Sequence, residues 1–416
     1  MRETPVTNAG QHWSARFFSI WVGQRLSLLG SRIGSFALVW WLTETTGSAI
    51  VLTTSSMAVL VPAIILSPFI GSLVDRLNRR IVILVSDATI ALLSLWLAYL
   101  FWTDALEIWH VYLILVGRAM GGLFHSPAML ASTTLMVPRR HLARISGLNM
   151  SMQGVNDIMG PPLGALALAL LPLHGVMLVD VVTAICAIAP LILLRIPQPA
   201  ASSKDRVTLR SVVSDTKIGF RFILKWKGLV ALLGLLFIMK VFVMPARTLM
   251  PLLVFEHYGR GAVELAWLQA VMGVGIIGGG LILGAWGGFY RKILMILLGT
   301  AGIGVGTLLM GTAPVNWFWM VLAGQSLAGV MRSVANSPFT ALTQSTVPPE
   351  MQGRFFATFG SLSALSTPLG LAIAGPVCEW LGVDFWYQLT GVICVLVAVG
   401  ALFVRPLMNI EQNQHE

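Results

Sequence analysis

Six basic side chains, Arg25, Arg32, Arg118, Lys240, Arg247 and Arg332, stand inside stretches of this chain that are otherwise apolar enough to cross a bilayer, together with the carboxylates Asp87, Asp157 and Asp180. A charge at membrane depth costs roughly 2.5–3.5 kcal/mol on insertion scales, so it persists where it faces a partner or a water-filled cavity. Acids and bases placed this way can exchange protons and can hold a polar or charged solute. Asp157 is the candidate proton carrier. It lies about 18 Å along its span at 1.5 Å per residue, near the midplane. Asn149, Gln153, Asp157, Gly160 and Gly164 recur at three and four residues, which puts them on one helix face. Gln24 and Ser31 share a stripe on the first span with Arg32 beside it, and Lys240 shares a face of the seventh with Met244, Arg247 and Pro251. Gln24, Ser31, Arg32, Gln153, Lys240, Gln325 and Asn336 are the candidate substrate-binding residues. The cations outnumber the acids, which favours anionic or zwitterionic solutes if several face one cavity.

Other chemistry lacks its residues. The sequence contains no Walker, HExxH or GxSxG pattern, and Cys186, Cys378 and Cys394 have no metal or redox spacing. Gly273-Val274-Gly275-Ile276-Ile277-Gly278 spells GxGxxG but lies inside an apolar span with no strand before it. Gly280, Gly284 and Gly288 read instead as a packing ladder. The chain is expected to be no enzyme, to bind no metal or cofactor, and to draw on a proton gradient.

The elements that must carry these residues are membrane helices. The chain is 56% hydrophobic and 11% charged, against about 25% charged in soluble proteins. Twelve apolar runs long enough to span fall near 16–42, 48–73, 80–102, 107–136, 145–171, 174–195, 228–255, 262–288, 292–313, 316–346, 354–378 and 384–404. Only helices and closed barrels satisfy their backbone in lipid, so the fold class is an all-α membrane protein. The net charge of +10 does not point to nucleic acid, because 20 of the 27 Lys and Arg residues fall in alternate loops and the ends. That asymmetry places both termini in the cytoplasm and the chain in the cytoplasmic (inner) membrane. The longest polar stretch, Pro197–Lys227, divides a six-helix bundle at 1–195 from another at 228–416, with 196–227 a cytoplasmic linker carrying an amphipathic helix. Val137-Pro138 and Arg144 recur 210 residues later as Val347-Pro348 and Arg354. Parallel repeats of this kind imply two pseudo-symmetric bundles with substrate bound between them.

Gly71-Ser72-Leu73-Val74-Asp75-Arg76-Leu77-Asn78-Arg79-Arg80 resembles the G-x-L-x-D-R-x-x-R-R signature of the major facilitator superfamily at every defined position. The resemblance implies a conformational latch made by Gly71, Asp75, Arg76, Arg79 and Arg80. Gly154 to Gly164, with Gly160, Pro161 and Gly164 as the G-P-x-x-G core, resembles the antiporter motif of proton-coupled drug exporters in that superfamily. Gly117-Arg118-Ala119-Met120-Gly121-Gly122 is similar to their R-x-x-Q-G motif, with Gly121 in place of glutamine, and implies that Arg118 couples to the proton carrier. Ser27-Leu28-Leu29-Gly30-Ser31 lacks the carboxylate that such exporters often carry there, although Thr46-Gly47-Ser48-Ala49 follows as it does in them. Asp180 and Arg195-Ile196-Pro197 look like the sixth span of macrolide-efflux-type members, and Asp180 reads as structural. The resemblance implies a monomeric secondary transporter exporting small amphiphilic, drug- or macrolide-like molecules through the lipid bilayer in exchange for protons. Two alternatives stand beside it: an exporter of an anionic metabolite, siderophore or lysophospholipid, and a transporter-like receptor without flux.

Overall fold

The computed structural model describes residues 13–74, 76–194, 196, 224 and 226–411. Among these, twelve long helices follow one another: α1 Trp13–Thr46, α2 Ala49–Val74, α3 Arg79–Trp102, α4 Ile108–Met136, α5 Leu142–Leu170, α6 Leu173–Leu193, α7 Lys227–Thr248, α8 Ala262–Trp286, α9 Lys292–Thr312, α10 Phe318–Thr346, α11 Pro349–Leu381 and α12 Val383–Ala401. Almost all of the linker, with its expected amphipathic helix, lies outside the described residues, as does Asp75. Large apolar side chains such as Leu92, Leu130, Leu193 and Leu281 are openly exposed, as expected of a protein whose outer solvent is lipid. Ten of the helices are long and apolar enough to cross a membrane. The two that fall short, α5 and α10, carry Asn149, Gln153, Asn156 and Asp157, and Gln325, Arg332 and Asn336. Polar groups that work inside a membrane lower the hydropathy of the helix bearing them.

The seventh span departs from its expected extent. Its helix ends at Thr248, followed by a short turn Met250–Leu252 and a π-helical turn Leu253–His257. Only Leu249 stands outside the helices, and Pro251, which has no N–H to give to an earlier carbonyl, sits in the first turn of the short helix that restarts at Met250.

The chain packs as two compact units. One holds residues up to 38 and from 65 to the linker; the other holds 39–64 and the chain after the linker. The boundary therefore does not follow chain order, since the α1–α2 tip joins the second unit. Its reason is local. Ser48 caps α2, taking the N–H of Val51 on its hydroxyl at 3.3 Å. The Glu379 carboxylate near the end of α11 accepts from Ser48 Oγ at 3.2 Å, Ala49 N at 3.1 Å and Ile50 N at 3.4 Å. An anion at a helix N-terminus satisfies orphan donors and meets the positive end of the dipole. The Thr-Gly-Ser-Ala run is thus a helix start completed by an acid 330 residues away.

Glu256, in the π-helical turn, lies beside this cap. Lost hydration, then the neighbouring Glu379 charge, hold its carboxyl above the ordinary value of 4.5. A raised carboxyl pKa means that the folded state binds the proton more tightly than the unfolded chain. Its contribution is therefore present below the ordinary pKa and lost as pH rises through the raised one. Glu256→Gln should raise the unfolding temperature at neutral pH and flatten its rise on acidification. Thermal unfolding of both proteins from pH 4 to 8 checks this, and an unchanged pH slope would refute it.

Helix approach in the second unit is set by glycines on one face of α8. A Cβ on Gly275 would lie 2.6 Å from the Ser326 carbonyl oxygen, and one on Gly279 would lie 2.5 Å from that of Val330. At Gly280 and Gly284 a Cβ meets open space, and Gly288 lies beyond the helix end at φ +78°. The expected ladder is therefore wrong by one step of the helix, about 100°. Gly279→Val should destabilise by roughly 1–3 kcal/mol through overpacking against backbone, whereas Gly280→Val should be near neutral. Comparative unfolding in detergent distinguishes the two.

Candidate functional site

In the first unit α1 is held on three sides. Towards α5, Asn149 Oδ1 accepts from Trp21 Nε1 at 2.7 Å and from Arg25 at 2.9 Å. Two turns on, Arg32 and Asp157 form an ion pair at 2.8 Å with both side chains about half exposed, 49% and 50%. A Cβ on Gly160 would sit 3.0 Å from Arg32 Cβ, and one on Gly164 would sit 2.7 Å from the Phe36 ring. The antiporter-like motif is thus the small-residue half of an α1–α5 seam. Gly154 has open space beside it, Pro161 is buried, and Gln153 is exposed.

Towards α3, α4 and α6 the polar groups are buried. Asp180 is fully buried. It pairs with Arg118 at 2.5 Å and accepts from the hydroxyls of Ser31 and Ser94, each at 2.8 Å; Arg118 also reaches Ser94. Asp87 accepts from the Gln24 amide at 2.7 Å, and His125 Nε2 lies 2.7 Å from Gln24 Oε1 and 3.3 Å from Asp87. Arg118, expected to couple to the proton carrier, pairs with Asp180, and Asp157 pairs with Arg32. Asp157 itself is half exposed. Gln24 and Ser31 share a stripe of α1 yet enter different buried networks. Nothing in the spacing of Ser94 or His125 marks them as partners.

The loop signature is fixed within the same unit. Asn78 caps α3, accepting from the N–H groups of Arg80 and Ile81 at 3.1 and 3.5 Å. Arg79 donates to the Ala131 carbonyl on α4 at 3.0 Å. Arg80 donates to Leu191 and Ile192 at 2.7 and 2.6 Å, a cation on the last carbonyls of α6. Arg76 and Gly71 are exposed, and a Cβ on Gly71 meets nothing within 4 Å, so it permits no close helix approach here.

The second unit contains a cavity that unites three of the candidates. Lys240 on α7 and Gln325 and Asn336 on α10 line it, with Arg247, Arg332, Thr307, Tyr387 and the methionines 239, 244, 250, 272 and 310. Lys240 Nζ lies 5.1 Å from the Phe359 ring centre. The buried Gln325 amide donates towards the sulfurs of Met272 at 3.4 Å and Met250 at 3.7 Å. Pro245 stands inside α7, between Lys240 and Arg247. Pro245 leaves the Val241 carbonyl without its helical donor, and Gly370 of α11 lies against that oxygen. Trp386 and Thr390 of α12 donate to Phe242 at 3.3 and 3.4 Å, and the Tyr387 hydroxyl donates to Ala246. Chemically, the cavity is an apolar, polarisable pocket with basic groups and no carboxylate in its lining.

A family model described as Major Facilitator Superfamily matches residues 20–247 and 242–415. The chain is 31% identical to Macrolide efflux protein A of Streptococcus pyogenes over 96% of its own length and 97% of the relative's. It is 30% identical to Macrolide efflux protein A of Enterococcus faecalis over 78% of this chain and all of that one. Among solved structures, it resembles a POT family transporter complexed with a thioalcohol-conjugated peptide. The TM-score is 0.68 at 13% identity, covering 94% of this chain and 96% of the other.

Proposed function

The chain belongs to the major facilitator superfamily, and on that premise we propose that it exports small amphiphilic, drug- or macrolide-like compounds in exchange for protons. It would work as a monomer by alternating access of its two halves, both termini facing the cytoplasm. Full-length similarity to macrolide efflux proteins supports export. The observation that carries proton exchange is the half-exposed Arg32–Asp157 pair beside Gly160. A proton carrier needs water access and a counter-charge it can leave. Asp157 has open side-chain surface and a paired guanidinium, whereas Asp180 is fully buried and already accepts from Arg118 and two hydroxyls. Arg32 takes the counter-ion role that sequence resemblance gave to Arg118.

The test is proton release from the purified protein on adding cationic, neutral and anionic amphiphiles, a macrolide among them. Release that disappears in Asp157→Asn is expected. Release that survives the substitution would move coupling elsewhere, and silence with ligands shown to bind would remove proton exchange.

A further inference from the structure

The two units treat intramembrane charge differently. In the first, Arg118 meets Asp180 and Arg32 meets Asp157, at 2.5 and 2.8 Å. Arg25 donates to Asn149 at 2.9 Å and lies 5.5 Å from the Trp21 ring. Three cations and three carboxylates balance there. The second unit carries Lys240, Arg247 and Arg332 along one cavity, and its lining contains no acid. Among the described residues, Lys240 and Arg332 thus share one acid-free cavity without an ion pair to either.

From this we infer that the second-unit cavity binds an amphiphile through an anionic group, a carboxylate, sulfate or phosphate, held by Lys240 and Arg332 while its apolar body packs on the methionine walls. This rests on the export reading and, within it, favours an anionic cargo over a basic, macrolide-like one. An uncompensated cation at membrane depth is costly, and an incoming anion removes that cost at the moment of binding. Arg332 offers a planar donor fork suited to two oxygens, and Lys240 a compact charge. The thioethers adapt to irregular apolar shapes, so the charge would be selected more tightly than the body. A cationic amphiphile would instead meet only like charge. The anion could reach the cavity as a soluble metabolite or as a lipid; the chemistry recognised is the same.

Three probes sharing one body decide it: 11-(dansylamino)undecanoic acid, its carboxamide and the corresponding terminal amine. Their binding is read by dansyl fluorescence, with the full-length protein in nanodiscs of phosphatidylcholine. Hydrogen bonds to charged groups are stronger than neutral ones, so the acid should bind at least about fivefold tighter than the carboxamide, and the amine weakest. Lys240→Gln and Arg332→Gln should each reduce that ratio towards one while leaving carboxamide binding in place, which separates lost charge from lost fold. Added salt should weaken only the acid. Phosphatidylglycerol in the disc that competes with the acid identifies a lipid source; absence of competition identifies a soluble one. Equal binding of the three probes, preference for the amine, or binding of none overturns the inference. Macrolide efflux from cells is scored separately, so the export reading can stand when charge selection fails, and the reverse.

Discussion

Removing either member of the Arg118–Asp180 pair should cost roughly 3–5 kcal/mol of stability, because the survivor is left as a buried charge without its counter-ion. Asp180 has no exposed side-chain surface and Arg118 has 11%. Two hydroxyls share the carboxylate, but neither carries a charge that could replace the guanidinium. Arg118→Ala and Asp180→Ala should therefore both express poorly and unfold early. Replacing both together, Arg118→Met with Asp180→Leu, removes the unpaired charge and should recover most of the loss. Isosteric apolar pairs often match the ion pair they replace. Denaturant titration in detergent measures the cycle. Single variants no less stable than the double one would show that the pair is not holding α4 to α6.

The same pair marks where the sequence is readable and where it is not. Hydropathy runs locate helices because lipid imposes one rule on every span. The seventh is interrupted only at Leu249, just before the short helix that carries Pro251. Periodicity also places Asn149, Asp157, Gly160 and Gly164 together, and they do share a seam. What a helical stripe cannot say is which neighbour lies opposite. Gln24 and Ser31 sit two turns apart on α1, yet one meets α3 and α4 while the other meets Asp180 of α6. Arg118 lies 62 residues before its partner, and that spacing carries no signal. Glycines show the same limit: Gly279 and Gly280 are neighbours in sequence, but only one faces a backbone. The cavity was more legible. Lys240, Gln325 and Asn336 are polar residues in apolar runs with little else to satisfy them, and they converge on one space.

The Arg32–Asp157 pair should behave in the opposite way to the buried one. With both side chains about half exposed, water and salt screen the attraction, and such pairs contribute about 0–1 kcal/mol. Asp157→Asn and Arg32→Gln should thus leave the unfolding free energy within about 1 kcal/mol of the parent. Transport should not be spared. If Asp157 carries the proton, its amide analogue cannot, and gradient-driven efflux should fall by an order of magnitude or more, because general proton transfer by a positioned group is worth about 10²–10⁴-fold where it limits rate. Energy-independent substrate exchange by Asp157→Asn vesicles should persist, since the alternating path is intact. Arg32→Gln removes the counter-charge that the carboxylate would leave and regain, so efflux should fall there as well. The split between preserved folding and lost coupling is what separates a carrier from a structural ion pair. Efflux retained in Asp157→Asn, or a loss of stability as large as that at Asp180, would return this pair to a packing role.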